Sequence, residues 1–216
     1  MNLINLSYPI NEKTPSYGRR HKVHIEECES INGGDTANSF IINFYNHIGT
    51  HIDAPNHFYD NGKKINDYNT NELLFTKPQL VNVNLDIKNE ISNETILNTL
   101  NKDADIIFFK TNFGKYRKTK KYTDEYPPFL ACFASHLKDN YLNLRAIGLD
   151  IISLTSPLNK EEGKKSHQIF LKEDKPIFII EDMNLDNYNM DIKKILVSPF
   201  NFEKIDSAPC NVYGII

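Results

Sequence analysis

The residues best suited to chemistry lie in one short stretch, and three of the chain's seven histidines fall within it. The stretch reads His47-Ile48-Gly49-Thr50-His51-Ile52-Asp53-Ala54-Pro55-Asn56-His57-Phe58. Two imidazoles and a carboxylate form a ligand set that suits Zn²⁺, Mn²⁺ or Fe²⁺ and leaves positions open for water and substrate. An open position distinguishes a catalytic metal site from a structural one. The stretch therefore indicates a catalytic metal centre, and a strand edge whose histidines face water is the alternative.

The spacing limits which of these side chains can meet. Four polar residues share parity, so an extended chain points all of them to one face: His47, His51, Asp53 and His57. At about 3.3 Å per residue, His51 and Asp53 lie about 6.6 Å apart and can share an ion, whereas His47 lies about 13 Å from His51. If His47 is also a ligand, the backbone must bend near Gly49, and glycine permits that bend. His57 is then left free to move protons.

Short apolar runs predict the elements that position this stretch. Runs rich in β-branched or aromatic residues, which favour strands, occur at 39–45, 80–85, 105–109, 145–152, 176–180, 195–198 and 211–216. Apolar periodicity predicts a helix over 130–140, and a second helix is predicted to begin at Ser92 or Asn93. The polar segments 115–126 and 159–166 are predicted to be surface loops. Together these elements predict an α/β fold, with a single mixed-sheet domain over residues 1–216 flanked by a few helices.

The composition excludes several classes of protein. With 40% hydrophobic residues, the 216-residue chain has enough apolar side chains for a packed core, and its net charge of −3 does not favour nucleic-acid binding. The longest apolar runs are too short to span a bilayer. Three widely separated cysteines do not suggest a disulfide framework, which predicts a reducing compartment. We therefore expect a cytoplasmic protein that acts on a small molecule, with no nucleic-acid or membrane partner.

The motif H-x-G-T-H-x-D-x-P-x-H at 47–57 resembles the signature of the cyclase family, which contains the bacterial-type kynurenine formamidases and the isatin hydrolases. Further similarity to the family is found at 5–10, 14–17, 146–150, 166–167, 181 and 206–209. The resemblance implies the family's swivelling β/β/α-like fold, a metal-dependent hydrolase domain that covers the chain, and a homodimer.

The resemblance also implies a set of metal ligands. His47, His51 and Asp53 match the residues that hold a first metal in the family. His167 and Glu181 match those that complete a two-metal site in the formamidases, where Asp53 and Glu181 would touch both ions. The expected cofactor is therefore one or two divalent ions per chain, with Zn²⁺ first and Mn²⁺ as the alternative. Two carboxylates close in sequence to these residues, Asp150 and Asp182, remain rivals of Glu181 as ligands.

Four further residues have predicted roles in catalysis or substrate binding. His57 matches the proton-transfer residue of the family. Tyr17 stands where the formamidases carry a tryptophan that packs on the substrate's ring, and Phe58 and Tyr59 are predicted to extend this aromatic wall. The chain departs from the family pattern at 110–113 and at Asn211, near the substrate, so the resemblance does not fix the substrate.

These residues predict metal-dependent hydrolysis of a small amide, with N-formylkynurenine as the expected substrate and kynurenine and formate as products. A bound Zn²⁺ lowers the pKa of its water from about 15.7 to about 7 and so supplies hydroxide near neutral pH. His57 would take a proton from that water and return it to the departing amine. Two alternatives remain open. One is hydrolysis of a cyclic amide or imide, as in the isatin hydrolases, and the other is binding of a metal or small molecule without catalysis.

Overall fold

A computed structural model of the protein describes residues 2–85, 89–93, 96, 99–188 and 190–216. Within these residues the chain forms a nine-stranded mixed sheet, a separate two-stranded ribbon and three α-helices. The strands are β1 (Leu3–Asn5), β2 (His24–Glu29), β3 (Ser39–Asn43), β4 (His51–Asp53), β5 (Leu74–Phe75), β6 (Pro78–Asn82), β7 (Ile106–Lys110), β8 (Ala146–Leu149), β9 (Phe178–Glu181), β10 (Lys194–Pro199) and β11 (Ser207–Ile215). The helices are α1 (Lys120–Asp124), α2 (Ala131–Asn140) and α3 (Lys160–Leu171).

The sheet has a parallel half and an antiparallel half. Its strand order is β5-β10-β11-β4-β9-β8-β7-β6, and β1 pairs with β11 beside this path. Strands β6 to β9 are mutually parallel, whereas β4 is antiparallel to both of its neighbours, β9 and β11. The parallel strands β7, β8 and β9 are almost wholly buried, as expected for strands covered on both faces. The short strand β4 therefore lies where the two halves meet.

Two apolar cores cover the two faces of the sheet. One contains the packed helices α2 and α3, and its aromatic rings Phe109, Phe129 and Phe133 lie with centroids 5.2 to 5.6 Å apart. The other core lies on the opposite face and contains Phe75 and Phe108. Among the described residues, no helix has both the length and the apolar character needed to cross a lipid bilayer.

The predicted α/β fold with a mixed sheet and few helices is confirmed, since the predicted strands correspond to β3 and β6 to β11 and the helix predicted over 130–140 is α2. Most of the helix predicted to begin at Ser92 or Asn93 lies outside the described residues. The loop predicted over 115–126 is wrong in part, because it contains α1 and the fully buried ring of Tyr122.

The loop predicted over 159–166 is also wrong, because this segment forms most of α3. The helix begins where the Asn159 side chain accepts a hydrogen bond from the backbone N–H of Glu162. Its buried face has helical spacing, but it includes Gly163, Ser166 and His167, which are not apolar. Hydrophobic periodicity therefore does not reveal this helix.

The ribbon of β2 and β3 stands apart from the sheet. Residues of both strands are solvent-exposed almost throughout, including Phe40, Ile41 and Ile42, whose exposed fractions are 55 to 59%. The ribbon joins the rest of the domain next to the histidine-rich stretch. His21 precedes β2 and Tyr45 follows β3, and their rings stack with centroids 4.1 Å apart. Within the described chain, β2 and β3 pair only with each other.

Candidate metal centre

Strand β4 brings the histidine-rich stretch against two distant segments of the chain. Its residue His51 lies opposite Glu181 of β9 on one side and opposite Pro209 of β11 on the other. The bend predicted before this strand is present at Gly49, whose φ is 62°. A Cβ atom on Gly49 would lie only 3.0 Å from Ile10, so glycine is favoured there by both conformation and space.

The parity argument holds only within β4, because Gly49 bends the chain before this strand and a turn follows it. The chain leaves β4 and enters a 3₁₀ turn at Pro55–His57, so His57 is not on a strand. The turn nevertheless returns His57 to the centre, where its ring centroid lies 4.2 Å from that of His47. The ligand atoms of His47, Asp53 and His57 lie within 4.8 Å of one another, and so do those of His51, Asp53 and Glu181. Asp53 thus belongs to both groups.

Two histidines are oriented by backbone carbonyls. His51 Nδ1 lies 2.8 Å from the carbonyl oxygen of Gly49, and His167 Nδ1 lies 2.8 Å from that of Gly163. A carbonyl only accepts, so each Nδ1 carries a proton and each Nε2 is the atom turned to the carboxylates. Burial lowers the pKa of both rings, but contacts with Glu181 and Asp53 outweigh it and raise the pKa. Both Nε2 atoms lie 3.4 Å from Glu181 oxygens. Metal-ligating histidines are commonly oriented by a hydrogen bond of this kind from the second nitrogen.

Asp53 is the buried group that most clearly needs a cation. Its exposed fraction is 1%, and among the described residues neither carboxylate oxygen makes a hydrogen bond. The nearest imidazole nitrogens are His47 Nδ1 at 3.1 Å and His51 and His167 Nε2 at 3.8 Å. Burial raises the pKa of Asp53, but the surrounding histidines hold it well below its usual value, so the group is ionised. A divalent cation between these atoms fits this donor set.

Glu181 is fixed at the end of β9 by hydrogen bonds on one side. Its Oε1 accepts from the backbone N–H of Leu154 at 2.7 Å and from the Ser153 hydroxyl at 3.1 Å. Burial raises the pKa of Glu181, but contacts with His167 and His51 outweigh it and lower the pKa to about 2. Its second oxygen, Oε2, faces His51.

Asp206 connects the other two histidines. Its Oδ2 lies 3.0 Å from His47 Nε2 and 2.7 Å from His57 Nδ1, while Oδ1 accepts from the Asn46 amide at 2.8 Å. Burial lowers the pKa of His47, but Asp53 and Asp206 outweigh it and raise the pKa to about 11. The sequence placed Asp206 in a family-like segment without a role. Its acidic type and position in that segment were the only signal, because the two histidines it contacts lie 159 and 149 positions away along the chain.

The two rival carboxylates are engaged elsewhere in the fold. Asp182 accepts two hydrogen bonds from the Arg117 guanidinium, at 2.8 and 2.6 Å, and one from the Tyr122 hydroxyl at 2.6 Å. Asp150 accepts from both the backbone and the hydroxyl of Thr111. These contacts leave Glu181 as the carboxylate from this region that faces the histidines.

A cavity of about 300 Å³ opens above these residues. Its polar floor includes the three site histidines of the 47–57 stretch, His167 and Glu181, and its walls include Tyr17 and Phe58. Tyr59, predicted to belong to the same wall, does not line the cavity, and its hydroxyl donates to the carbonyl of Gln168 at 2.7 Å. The Phe58 ring stacks on His167 at 4.9 Å. The sequence missed three lining residues that follow β8, namely Ile152, Ser153 and Thr155, and two wall residues near the ribbon, Arg20 and Tyr45. Neither Arg20 nor Tyr45 lies in a motif, and both reach the cavity because they flank the roots of the ribbon.

The fold and the site together define an α/β protein with a buried histidine–carboxylate centre beneath an aromatic-walled cavity. Residues 4–155 match the family model Cyclase, described as "Putative cyclase". The chain therefore belongs to the cyclase family, as its motif predicted.

The chain is similar in sequence to kynurenine formamidases from two Bacillus species. The chain is 25% identical over 208 residues to a kynurenine formamidase of Bacillus mycoides, covering 95% of this chain and 93% of the relative. It is 27% identical over 186 residues to a kynurenine formamidase of Bacillus cereus, covering 85% of this chain and 80% of the relative.

Solved structures share the fold. Isatin hydrolase A from Labrenzia aggregata, bound to benzyl benzoate, superposes with a TM-score of 0.82 at 14% identity, covering 100% of this chain and 93% of that one. A predicted metal-dependent hydrolase from Bacillus stearothermophilus gives a TM-score of 0.77 at 20% identity, with coverage of 99% and 97%. These matches agree with the cyclase-family fold expected from the sequence.

Proposed function

We propose that this protein is a metal-dependent hydrolase of small amides, with N-formyl aromatic amines such as N-formylkynurenine as substrates. The observation that carries the proposal is the buried, ionised carboxylate of Asp53, which lies 3.1 to 3.8 Å from ring nitrogens of His47, His51 and His167, three histidines that line the cavity. Such a group is costly to bury without a cation. The kynurenine formamidases among the relatives support both the reaction class and the substrate class.

The donor set supports a divalent ion, with Zn²⁺ expected and one or two ions per chain. The residues that would hold it are the three from the bent stretch and the two from α3 and β9, namely His47, His51, Asp53, His167 and Glu181. When bound, such an ion polarises a carbonyl and lowers the pKa of water.

His57 and Asp206 supply proton transfer in this proposal. The pKa of Asp206 is held below its usual value, since contacts with His47 and His57 outweigh burial, so its carboxylate is ionised and accepts the Nδ1 proton of His57. This leaves His57 Nε2 to take a proton from water and to deliver it to the departing amine. Tyr17 and Phe58 would hold the aromatic ring of the amine against the cavity wall.

Replacing His57 with alanine tests this assignment. We expect turnover of N-formylkynurenine to fall by about 10²–10⁴, the usual contribution of a positioned acid–base group. Metal content, measured by elemental analysis of the purified protein, should stay at the wild-type level. His136→Ala, which removes an exposed histidine from α2, is the matched control and should leave turnover unchanged.

Three results would contradict the proposal in different ways. Loss of metal from His57→Ala would make His57 a ligand. Turnover of isatin but not of formamides would favour a cyclic amide as substrate. No turnover of N-formylkynurenine, isatin or simple formamides with any divalent metal would favour a binding protein.

A further inference from the structure

The wall of the cavity contains one permanently cationic side chain, Arg20. The chain has four arginines, and the other three are engaged in ion pairs: Arg19 with Asp124, Arg117 with Asp182 and Arg145 with Asp105. Among the described residues, Arg20 makes neither a hydrogen bond nor an ion pair. Arg20 is exposed to solvent where it lines the cavity, and its guanidinium, with five donors, has no protein acceptor there.

The backbone around Arg20 is held in an uncommon conformation. Gly18 and Arg19 both have left-handed φ values, 60° and 56°, and the second is unfavourable for a residue with a side chain. The Ser16 hydroxyl holds the two ends of this turn together, because it donates to the carbonyl of His21 at 2.7 Å and accepts from its N–H at 3.2 Å. The turn directs Arg19 to Asp124 and leaves Arg20 on the cavity wall. Strained turns of this kind are common at ligand sites.

Electrostatics connects Arg20 to the metal centre. Burial raises the pKa of Tyr17, the Arg20 guanidinium lowers it, and the Glu181 carboxylate raises it again. Tyr17 is therefore within electrostatic range of both the cation on the wall and the carboxylate on the floor. A ring packed on Tyr17, with its amide over the floor, would present a substituent to Arg20.

We propose that Arg20 binds a carboxylate on the substrate, so that the preferred substrates are N-acyl aromatic amines that carry a carboxylate in the group ortho to the amide. This inference rests on the proposed hydrolase function and narrows its substrate class. A planar guanidinium matches a carboxylate with two parallel hydrogen bonds, which gives geometric selection as well as affinity.

Two substrates that differ only in this group provide the test. N-formylanthranilate carries the carboxylate and formanilide lacks it, while hydrolysis breaks the same amide C–N bond and yields formate and the aromatic amine in both. In the metal-loaded enzyme, we expect Arg20→Gln to raise KM for N-formylanthranilate about tenfold, equivalent to about 1.4 kcal/mol. The KM for formanilide should change less than twofold. Arg20→Lys should fall between, because it keeps the charge but loses the planar fork.

The matched control is Lys22→Gln, which removes a charge from an exposed lysine two residues further along the chain and outside the cavity. It should leave KM for both substrates unchanged. Equal KM changes for both substrates in Arg20→Gln, or no change for either, would overturn the proposal.

A binding measurement separates this inference from the proposed reaction. Calorimetric titration with anthranilate and aniline needs no turnover, and Arg20→Gln should weaken anthranilate binding about tenfold without affecting aniline. If the wild-type protein hydrolyses neither formamide but this loss is seen, the hydrolase proposal fails and Arg20 remains a carboxylate site. Equal anthranilate affinity in wild type and Arg20→Gln overturns the carboxylate site whether or not the protein is a hydrolase.

Discussion

Asp53 is the residue through which both groups of candidate ligands are connected. Its carboxylate lies within reach of His47 on one side and of His51 and His167 on the other. It is also the group in the centre that makes no hydrogen bond to the described part of the protein. The nearest protein charge that can balance it is the His47 ring, whose raised pKa keeps it protonated 3.1 Å away, whereas Glu181 has two protein donors.

Asp53→Asn should abolish tight metal binding while leaving the fold intact. The substitution keeps the size of the side chain but removes the charge. Changing residues that only orient metal ligands typically costs about 10–100-fold in affinity, so loss of a shared ligand should cost at least about 100-fold. Calorimetric titration with Zn²⁺ measures this change, and circular dichroism reports the fold.

Asp124→Asn is the control for Asp53→Asn, because it neutralises a partly exposed aspartate outside the metal centre, which forms an ion pair with the exposed Arg19 and accepts a hydrogen bond from Thr123. Its Zn²⁺ affinity should match that of the wild type. Wild-type affinity in Asp53→Asn as well would show that the centre does not depend on this carboxylate.

The sequence predicts the residues of this centre that are close together in the chain, but it does not predict the role of Asp206. His51, Asp53 and the bend at Gly49 lie within five residues, so strand geometry and glycine's conformational freedom suffice to relate them. Asp206 reaches the histidines only because β11 pairs with β4 in a particular register. Residue spacing holds no information about which distant strands pair.

At the scale of elements, α3 is a second feature that the sequence pattern does not predict. The sequence pattern predicts a loop here because the inner face of the helix uses a glycine, a serine and a histidine for contact and chemistry rather than for hydrophobic burial. Gly163 lies where the helix crosses the backbone of Leu154 and Thr155, and its carbonyl orients His167. Two of the residues that obscure the hydrophobic periodicity of this helix, Gly163 and His167, are also those that connect it to the site.

Gly163→Ala should therefore damage both stability and metal binding. A Cβ atom at this position would lie 2.3 Å from the Cα of Thr155 and 2.6 Å from the carbonyl oxygen of Leu154, so the helix must move away from the backbone beside it. That movement displaces the carbonyl that orients His167 and the segment that holds Glu181. We expect a loss of about 1–3 kcal/mol in the free energy of unfolding, typical of overpacking, with weaker Zn²⁺ binding. Urea unfolding and calorimetry measure the two effects.

Gly33→Ala is the matched control, because the nearest atom to its added Cβ would be 3.5 Å away and its φ is not left-handed. It should change neither the free energy of unfolding nor the Zn²⁺ affinity by more than the experimental error. If Gly163→Ala behaves in the same way, the close crossing of α3 has no role in shaping the centre.

At the scale of the whole molecule, the ribbon of β2 and β3 is the feature that the fold of one chain does not explain. Ile25 lies opposite Ile42 in the ribbon, and Phe40 lies two residues from Ile42, so the three side chains share one face. All three are exposed. An isolated two-stranded ribbon is marginally stable in water, and exposed apolar clusters commonly mark interaction surfaces.

We predict that this face packs against a second copy of the chain, which agrees with the homodimer implied by the family resemblance. Light scattering coupled to size-exclusion chromatography should give the mass of two chains for the wild type. The double variant Phe40→Ser, Ile42→Ser should elute as a monomer, because it removes two of the three apolar side chains from the face. Leu142→Ser, which changes a single side chain that is 77% exposed in the turn after α2, should remain a dimer. A monomeric wild type, or a dimeric double variant, would show that the ribbon's apolar face is not the interface of a homodimer.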